Sequence, residues 1–397
     1  MNKRSIKNIY IPKLRFKGFN KKYKNVKLKD ISTYKKGKDF SKKDLDDNGK
    51  NPIILYGDLF TQYTSIIKNI NQFTNESGGY LSKRNTLLFP SSSTSLNDFF
   101  PCSAIDIENV ILGSDINIFE FNINNIAMYF SYLFSTPYHL KNVFKLTEGS
   151  TINHLYGRYL ESYNLMIPKI NEQEKITKFF SLLDQQISLL ENKLQLIEQI
   201  RLFLNNSLYK NSYKNGDEYF LKELLENPKK EPIKNVDEYT PIKIMLNGKG
   251  FIKSNLDVKI TNKGRKYYER SSGELIIGLQ NFHNKSIAIL DDQFFKPIMS
   301  SAIASFISKS DDDLFIIKEM LLNKNHQNYI LNNASGTGQK EYTVNKILQT
   351  KIKLPSKEIQ QNYKNKFIKI DLFIRMLNNK IKILNYRKLF YLKNIFI

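Results

Sequence analysis

The residues that could do chemistry in this chain are few, and none is arranged to do it. Asn51-Pro52-Ile53-Ile54 begins like the Asn-Pro-Pro-aromatic motif with which an adenine methyltransferase holds the amino group and stacks the base. The second proline and the aromatic are missing, so the segment reads as a turn into a strand. Asp257-Val258-Lys259 offers a fragment of a nuclease pattern, but no suitable acid precedes it in a strand. Gly336-Thr337-Gly338 is too short a signal for a phosphate-cradling loop. His139, His154, His283 and His326 lack metal-ligand spacing. The single Cys102 excludes an intramolecular disulfide and a cysteine-based metal cluster. This pattern favours a reader over an enzyme.

What a reader would bind follows from charge. Lys and Arg number 61 against 38 Asp and Glu, a net charge of +23, which implies a polyanionic partner. A compositional bias towards Lys, Asn and Ile explains Lys over Arg, but less well why acids fail to keep pace. Contacts to nucleic acid need cations and hydroxyls for phosphate, and bidentate or amide side chains for bases. In the first half, Ser91, Ser92, Ser93, Thr94 and Asn97 form a polar loop after a strand-like run, with Lys83 and Arg84 just ahead. In the second half, Lys263, Arg265 and Lys266 precede Tyr267-Tyr268, and Gln280, Asn281, His283, Asn284 and Lys285 join two strand-like runs. Each of these also reads as an ordinary solvated turn. Thr151, Asn153 and His154, with Gly338, Lys340 and Glu341 in the second half, can face either DNA or a protein partner.

The elements that must carry these residues come in two copies. The stretch from Gly149 to Tyr209 aligns without a gap on Gly336 to Phe396, shifted by 187 positions, as from Pro168 to Pro355. With 397 residues, 41% hydrophobic and 13% aromatic, the chain can build several real cores. The first globule has strand-like runs at 52–56, 86–89 and 110–112 and a helix from Asn125 to Phe134. Asn117 to Asn122 alternates apolar and polar, as a half-buried strand would. The second globule has strands at 242–246, 274–277 and 286–290 and a helix over 313–322.

After Pro168 the period becomes helical. Ile176, Phe180, Leu183, Ile187, Leu190, Leu194, Ile197, Leu204 and Leu208 step by fours and threes, with one beat missed at Arg201. The second copy runs Tyr363, Phe367, Ile370, Ile374, Leu377, Ile381, Leu384, Tyr391, Ile395, and misses the same beat at Lys388. The resulting expectation is a mixed α/β (α+β) chain. Two globular recognition domains, 12–170 and 213–357, are separated by two long antiparallel coiled-coil helices, 171–212 and 358–397, with internal pseudo-two-fold symmetry.

Leu165-Met166-Ile167-Pro168, Glu172-Gln173-Glu174-Lys175-Ile176, Phe179-Phe180, Leu183-Asp184 and Ile187 resemble the conserved region of type I restriction-modification specificity subunits. Gly149-Ser150-Thr151 to Leu160, Leu14-Arg15-Phe16-Lys17-Gly18-Phe19 and Leu28-Lys29-Asp30-Ile31 are also similar to that family, and Leu221-Lys222-Glu223-Leu224 opens the second globule comparably. The resemblance implies a sequence-specific subunit without catalysis of its own, each globule reading one half of a split duplex DNA target while the helices act as a ruler. It implies two modification subunits as partners, which methylate adenine at N6, and two restriction subunits that can join. S-adenosylmethionine, ATP and Mg are expected on those partners, with no cofactor bound by this chain. Glu172, Gln173, Lys175, Phe179, Gln360 and Phe367 are the candidates for docking them. The second copy has Ile359-Gln360-Gln361-Asn362 and Lys366 where the first has Glu172-Gln173-Glu174-Lys175 and Phe179, so docking there is expected to be weaker.

No apolar run approaches a membrane span and the basic start lacks an apolar stretch after it, so the expected setting is the cytoplasm. Two other readings compete. A single-chain restriction-modification enzyme would transfer methyl groups alone. A structural coiled-coil adaptor would not bind DNA in a steeply salt-dependent way.

Overall fold

The apolar runs that lack helical period have to pair as strands, and the heptad runs have to bury a seam. Both happen in the computed structural model, which describes residues 12–63, 65–93, 101–122, 126–255, 264–309, 313–332 and 342–396. The chain divides into two compact units, Met1–Glu191 with Asn379–Ile397, and Asn192–Asn378. Both divisions fall inside the long helices, Ile170–Asn215 and Lys357–Ile395, so each unit owns half of each helix. At 1.5 Å per residue their 46 and 39 residues span about 69 and 58 Å.

The first unit is built on a five-stranded sheet in the order Ser32–Lys36, Ile116–Phe121, Thr86–Pro90, Ser103–Ile105, Ile66–Ile67. A four-stranded sheet stands beside it, ordered Phe73–Thr74, Asn51–Ile54, Ile111–Leu112, Tyr80–Leu81. Ile116–Phe121 differs from the sequence expectation. All six residues are buried, not one face only. The polar ones are accommodated by partners: Asn117 donates to the Leu155 carbonyl at 2.8 Å and accepts from Tyr34 at 3.0 Å, and Glu120 accepts from Tyr80 at 2.5 Å and from Lys83 at 2.9 Å. Such pairing removes most of the cost of burying polar groups.

The helix Ile126–Phe134 covers this sheet, with Phe130 stacked on Phe121 at 5.1 Å. The same core takes in Ile176 and Phe180 from the first long helix, Leu392 and Ile395 from the second, and Phe396 just after it. The two helix halves run antiparallel here: Phe179 packs on Tyr391 while Asp184 meets Lys388. Leu14 donates its amide to the carbonyl of Asn394 at 2.8 Å.

The second unit has two four-stranded sheets. One is ordered Leu225–Glu226, Ile303–Ser308, Leu275–Gly278, Ile287–Ile289; the other Phe251–Lys253, Thr240–Ile244, Pro297–Ser300, Tyr267–Glu269. Helix Leu314–Leu322 buries Ile316, Ile317, Met320 and Leu321 in a core that includes Leu208 and Phe367 of the long helices. These halves are also antiparallel, with Arg201 against Asp371 and Ser207 against Tyr363.

The repeat is deeper than the sequence showed. The strand Ile116–Phe121 and the strand Ile303–Ser308 keep the offset of 187, as do helices Gly157–Glu161 and Val344–Leu348 and strands Asn164–Ile167 and Lys351–Leu354. Tyr132 and Glu319 occupy the same place in the two covering helices, and His139 matches His326. Side-chain identity has drifted there while the backbone pattern has not. The segment from Gly336 to Glu341 lies outside the described residues.

Candidate nucleic-acid interface

The first unit brings two of the singled-out segments together. Ser92–Ser93 pairs antiparallel with Asn153–His154, and the amide of Leu155 donates to the carbonyl of Ser91 at 2.8 Å. Ser91 and Ser93 are buried and Ser92 half-buried, so this ribbon offers backbone and neighbours more than hydroxyls. Its exposed neighbours are His154, Tyr156 and Arg158. The rings of His154 and Tyr156 lie 6.3 Å apart, and the Arg158 guanidinium sits 4.9 Å from both the Tyr156 and Tyr159 rings. The Tyr159 hydroxyl donates to Glu148, and its bond with Arg158 raises the guanidinium pKa still further. A permanent cation held flat by stacking suits a phosphate or a guanine edge. Lys83 and Arg84 are exposed but face acids, Glu120 at 2.9 Å and Glu108 at 3.8 Å. Thr94 and Asn97 lie outside the described residues.

The second unit repeats the junction. Leu279–Asn284 forms a short 3-10 helix directly after the strand Leu275–Gly278, and the amide of Tyr342 donates to the carbonyl of Leu279 at 3.0 Å. Tyr342 stands 187 positions after Leu155. Of the predicted amides, Asn284 is exposed and donates to Asn281 at 3.1 Å, while Gln280, Asn281 and His283 are half-buried. Lys285 adopts φ 58°, which turns the chain so that its carbonyl and that of Asn284 accept from the loop amides of Gly248 and Asn247. At the positions of Tyr156, Arg158 and Tyr159 this unit carries Thr343, Asn345 and Lys346. Arg265 and Lys266 are exposed ahead of the strand Tyr267–Glu269; Lys263 lies outside the described residues.

Residues 20–199 match the family described as type I restriction modification DNA specificity domain. This stretch, just under half of the chain, carries the type I restriction-modification DNA specificity domain. The family match ends at residue 199, and the second half is related to the first by the internal repeat. The S subunit of a type I system from M. genitalium superposes over 98% of this chain and 99% of its own, with TM-score 0.65 and 13% identity. A structure concerned with complex assembly and conformational transition of the type I R-M system covers 94% of this chain and 97% of its own at TM-score 0.49 and 10% identity. The HsdS subunit from Thermoanaerobacter tengcongensis covers 94% and 96% at TM-score 0.40 and 11% identity. No curated protein matches this sequence.

The residues put forward for partner docking divide by burial. Glu172 is buried and holds Arg15 through two bonds of 2.7 Å, within 3.5 Å of the Tyr23 hydroxyl. That pairing raises the Arg15 pKa; burial, with Glu172 nearby, raises that of Tyr23. Gln173 and Gln360 are buried and donate to the carbonyls of Pro168 and Pro355 at 2.9 and 2.8 Å, closing the same turn in each copy. Phe367 is fully buried, Phe179 is half-buried between Phe16 and Tyr391, and Lys175 is exposed.

A second heptad stripe, not predicted from the sequence, stands beside the seam. Leu182, Leu189, Leu196 and Phe203 recur every seven residues on the first long helix, and Met376, Ile383 and Phe390 do so on the second; each is more than half exposed. Leu189, Leu196 and Phe203 map onto Met376, Ile383 and Phe390 under the offset of 187. In the sequence the stripe shows as apolar residues two places after seam positions, in phase with the stronger seam. Among the described residues no helix is long and apolar enough to cross a membrane, and no group of three or more His, Cys, Asp or Glu could hold a metal ion.

Proposed function

We propose that each unit of this specificity subunit reads one half of a bipartite duplex target and that the chain contributes no catalytic step. The observation that carries the reading is the repeated junction, Leu155 on Ser91 and Tyr342 on Leu279, which offers the same backbone platform twice with different side chains on it. Tyr156, Arg158 and Tyr159 stand against Thr343, Asn345 and Lys346. Arginine reads guanine or phosphate, whereas an amide such as Asn345 pairs with adenine, so one platform supports two different half-sites. Ser92, His154, Lys266, Asn284 and Lys285 supply the surrounding polar contacts.

Methylation of adenine and any cleavage then belong to partner subunits, which carry S-adenosylmethionine, ATP and Mg. Two modification subunits would dock on the outward stripes, since apolar heptads exposed in a free chain are the ordinary mark of a helix-packing partner. Two restriction subunits complete the assembly, which works on cytoplasmic DNA.

The test is methylation sequencing of a reconstituted complex. Exchanging residues 213–357 for those of another specificity chain should change one half-site and leave the other. Arg158→Ala should weaken binding and lower the slope of log affinity against log salt by about 1 if it holds a phosphate. Methyl transfer by the chain alone, or both half-sites changed by the exchange, would overturn the reading.

A further inference from the structure

The missed beats of the two seams are not defects. Arg201 and Lys388 are repeat equivalents, and so are Asp184 and Asp371. In the first unit Lys388 meets Asp184 at 2.6 Å, and Asp184 accepts a second bond from the hydroxyl of Tyr132 at 2.9 Å. In the second unit Arg201 meets Asp371 at 2.5 Å and Glu319 at 2.9 Å. Tyr132 and Glu319 are themselves equivalent, one on each covering helix. Each unit thus has a joint of three side chains, one from the first long helix, one from the second and one from the helix that covers the recognition sheet.

We infer that these joints, Tyr132–Asp184–Lys388 and Glu319–Arg201–Asp371, are positioning residues that fix the DNA spacer accepted between the half-sites; the inference rests on the bipartite reading above. An apolar heptad seam is nearly indifferent to a slip of seven residues, because every seam position meets another apolar residue. The joints are not indifferent. A slip of seven would set Ile381 or Ile395 against Asp184, and Lys364 or Asn378 against Arg201. It would also move one helix about 10 Å along the other, roughly three base pairs of duplex. A single polar seam position is a known way to specify register at some cost in stability. The third member extends that control, because it ties the covering helix, and the sheet beneath it, to the same place along both long helices.

The second joint is the stiffer. Glu319 is fully buried and is also held by Lys318 at 2.9 Å and by the Asn205 amide, which donates to its backbone carbonyl at 2.7 Å. Burial opposes its charge, yet Lys318 and Arg201 hold its carboxyl below the usual range, and the acids likewise raise the Arg201 guanidinium.

The experiment uses the full chain reconstituted with its modification subunits, on a DNA library carrying both half-sites at every spacer within three base pairs of the native length. Tyr132→Phe with Lys388→Met, and separately Glu319→Gln with Arg201→Met, should keep the bases of both half-sites. They should weaken the preference for the native spacer by about tenfold, the scale of one lost charge-assisted bond in each joint. Lys388→Arg should keep native selectivity. Tyr132→Phe alone removes only a hydroxyl and decides the matter should the double variants fail to fold: it relaxes the spacer, or the inference falls. Folded variants that still methylate only the native spacer overturn it. A wild-type complex that shows no fixed spacer overturns the bipartite reading instead.

Discussion

Two buried histidines occupy the same place in the two halves of this molecule and live in different chemistry. His139 bonds the Tyr163 hydroxyl at 2.8 Å. At the position of Tyr163 the second half has Thr350, and neither ring nitrogen of His326 finds a partner among the described residues. Burial pushes the His326 pKa down to about 4. The joints differ in the same manner. The first closes on a neutral phenol, whose ionisation burial and Asp184 oppose, and the second on a buried carboxylate. The copies have kept the positions at which polar groups enter the core and changed the groups. Divergence has therefore run down to the energetics even where the backbone elements still correspond, and the two units should fail under different stresses.

The largest difference should appear on neutralising the seam cations. Arg201→Leu leaves Glu319 buried with Lys318 as its remaining cation and should cost about 3–5 kcal/mol. Lys388→Leu leaves a partly solvated Asp184 and should cost about 1 kcal/mol. Chemical unfolding of each variant checks the order, and equal costs would remove the asymmetry.

Acid should separate the units next. His326 takes its proton near 6.5 in the unfolded chain but only at about 4 when folded. The unfolded state binds more protons between those values, so stability is full above 6.5 and is lost as pH falls towards 4, by roughly 3 kcal/mol. Unfolding followed across that window should show the second unit weakening, and His326→Leu should flatten its slope. A slope that persists in the variant would assign the acid sensitivity elsewhere.

A smaller effect belongs to the first unit alone. Arg15→Met strands the buried Glu172, for which the second copy has Ile359, and should cost about 2 kcal/mol. Limited proteolysis should then cut first near residues 12–22; unchanged cleavage would mean that the pair does not hold that segment. The least effect on stability, within about 0.5 kcal/mol, is expected for Leu196→Glu on the outward stripe. The same change should reduce capture of a modification subunit, and retention of full capture would move the docking surface off that face.

The sequence by itself determined what depends on pattern along the chain. Heptads at Ile176 to Leu208 and Tyr363 to Ile395 announce long helices, because a seam that cannot be buried by one helix demands another. The offset of 187 announces duplication, and Leu87, Leu88 and Phe89 or Leu275, Ile276 and Ile277 announce buried strands. Only the tertiary structure decided what depends on neighbours distant in sequence. Asn117 and Glu120 suggested an exposed strand face, but their partners Tyr34, Tyr80, Lys83 and Leu155 come from three other segments. Glu172 and Gln173 have the polarity of a docking surface, yet Arg15 and Pro168 draw them inside. Tyr156 and Arg158 carried no signal until the ribbon beside Ser92 set them in the open. Periodicity fixes which face of an element is apolar; it does not say which polar group will find a partner. A hydrogen bond or ion pair depends on ångström-scale placement across the fold, and that placement exists only once the chain has closed.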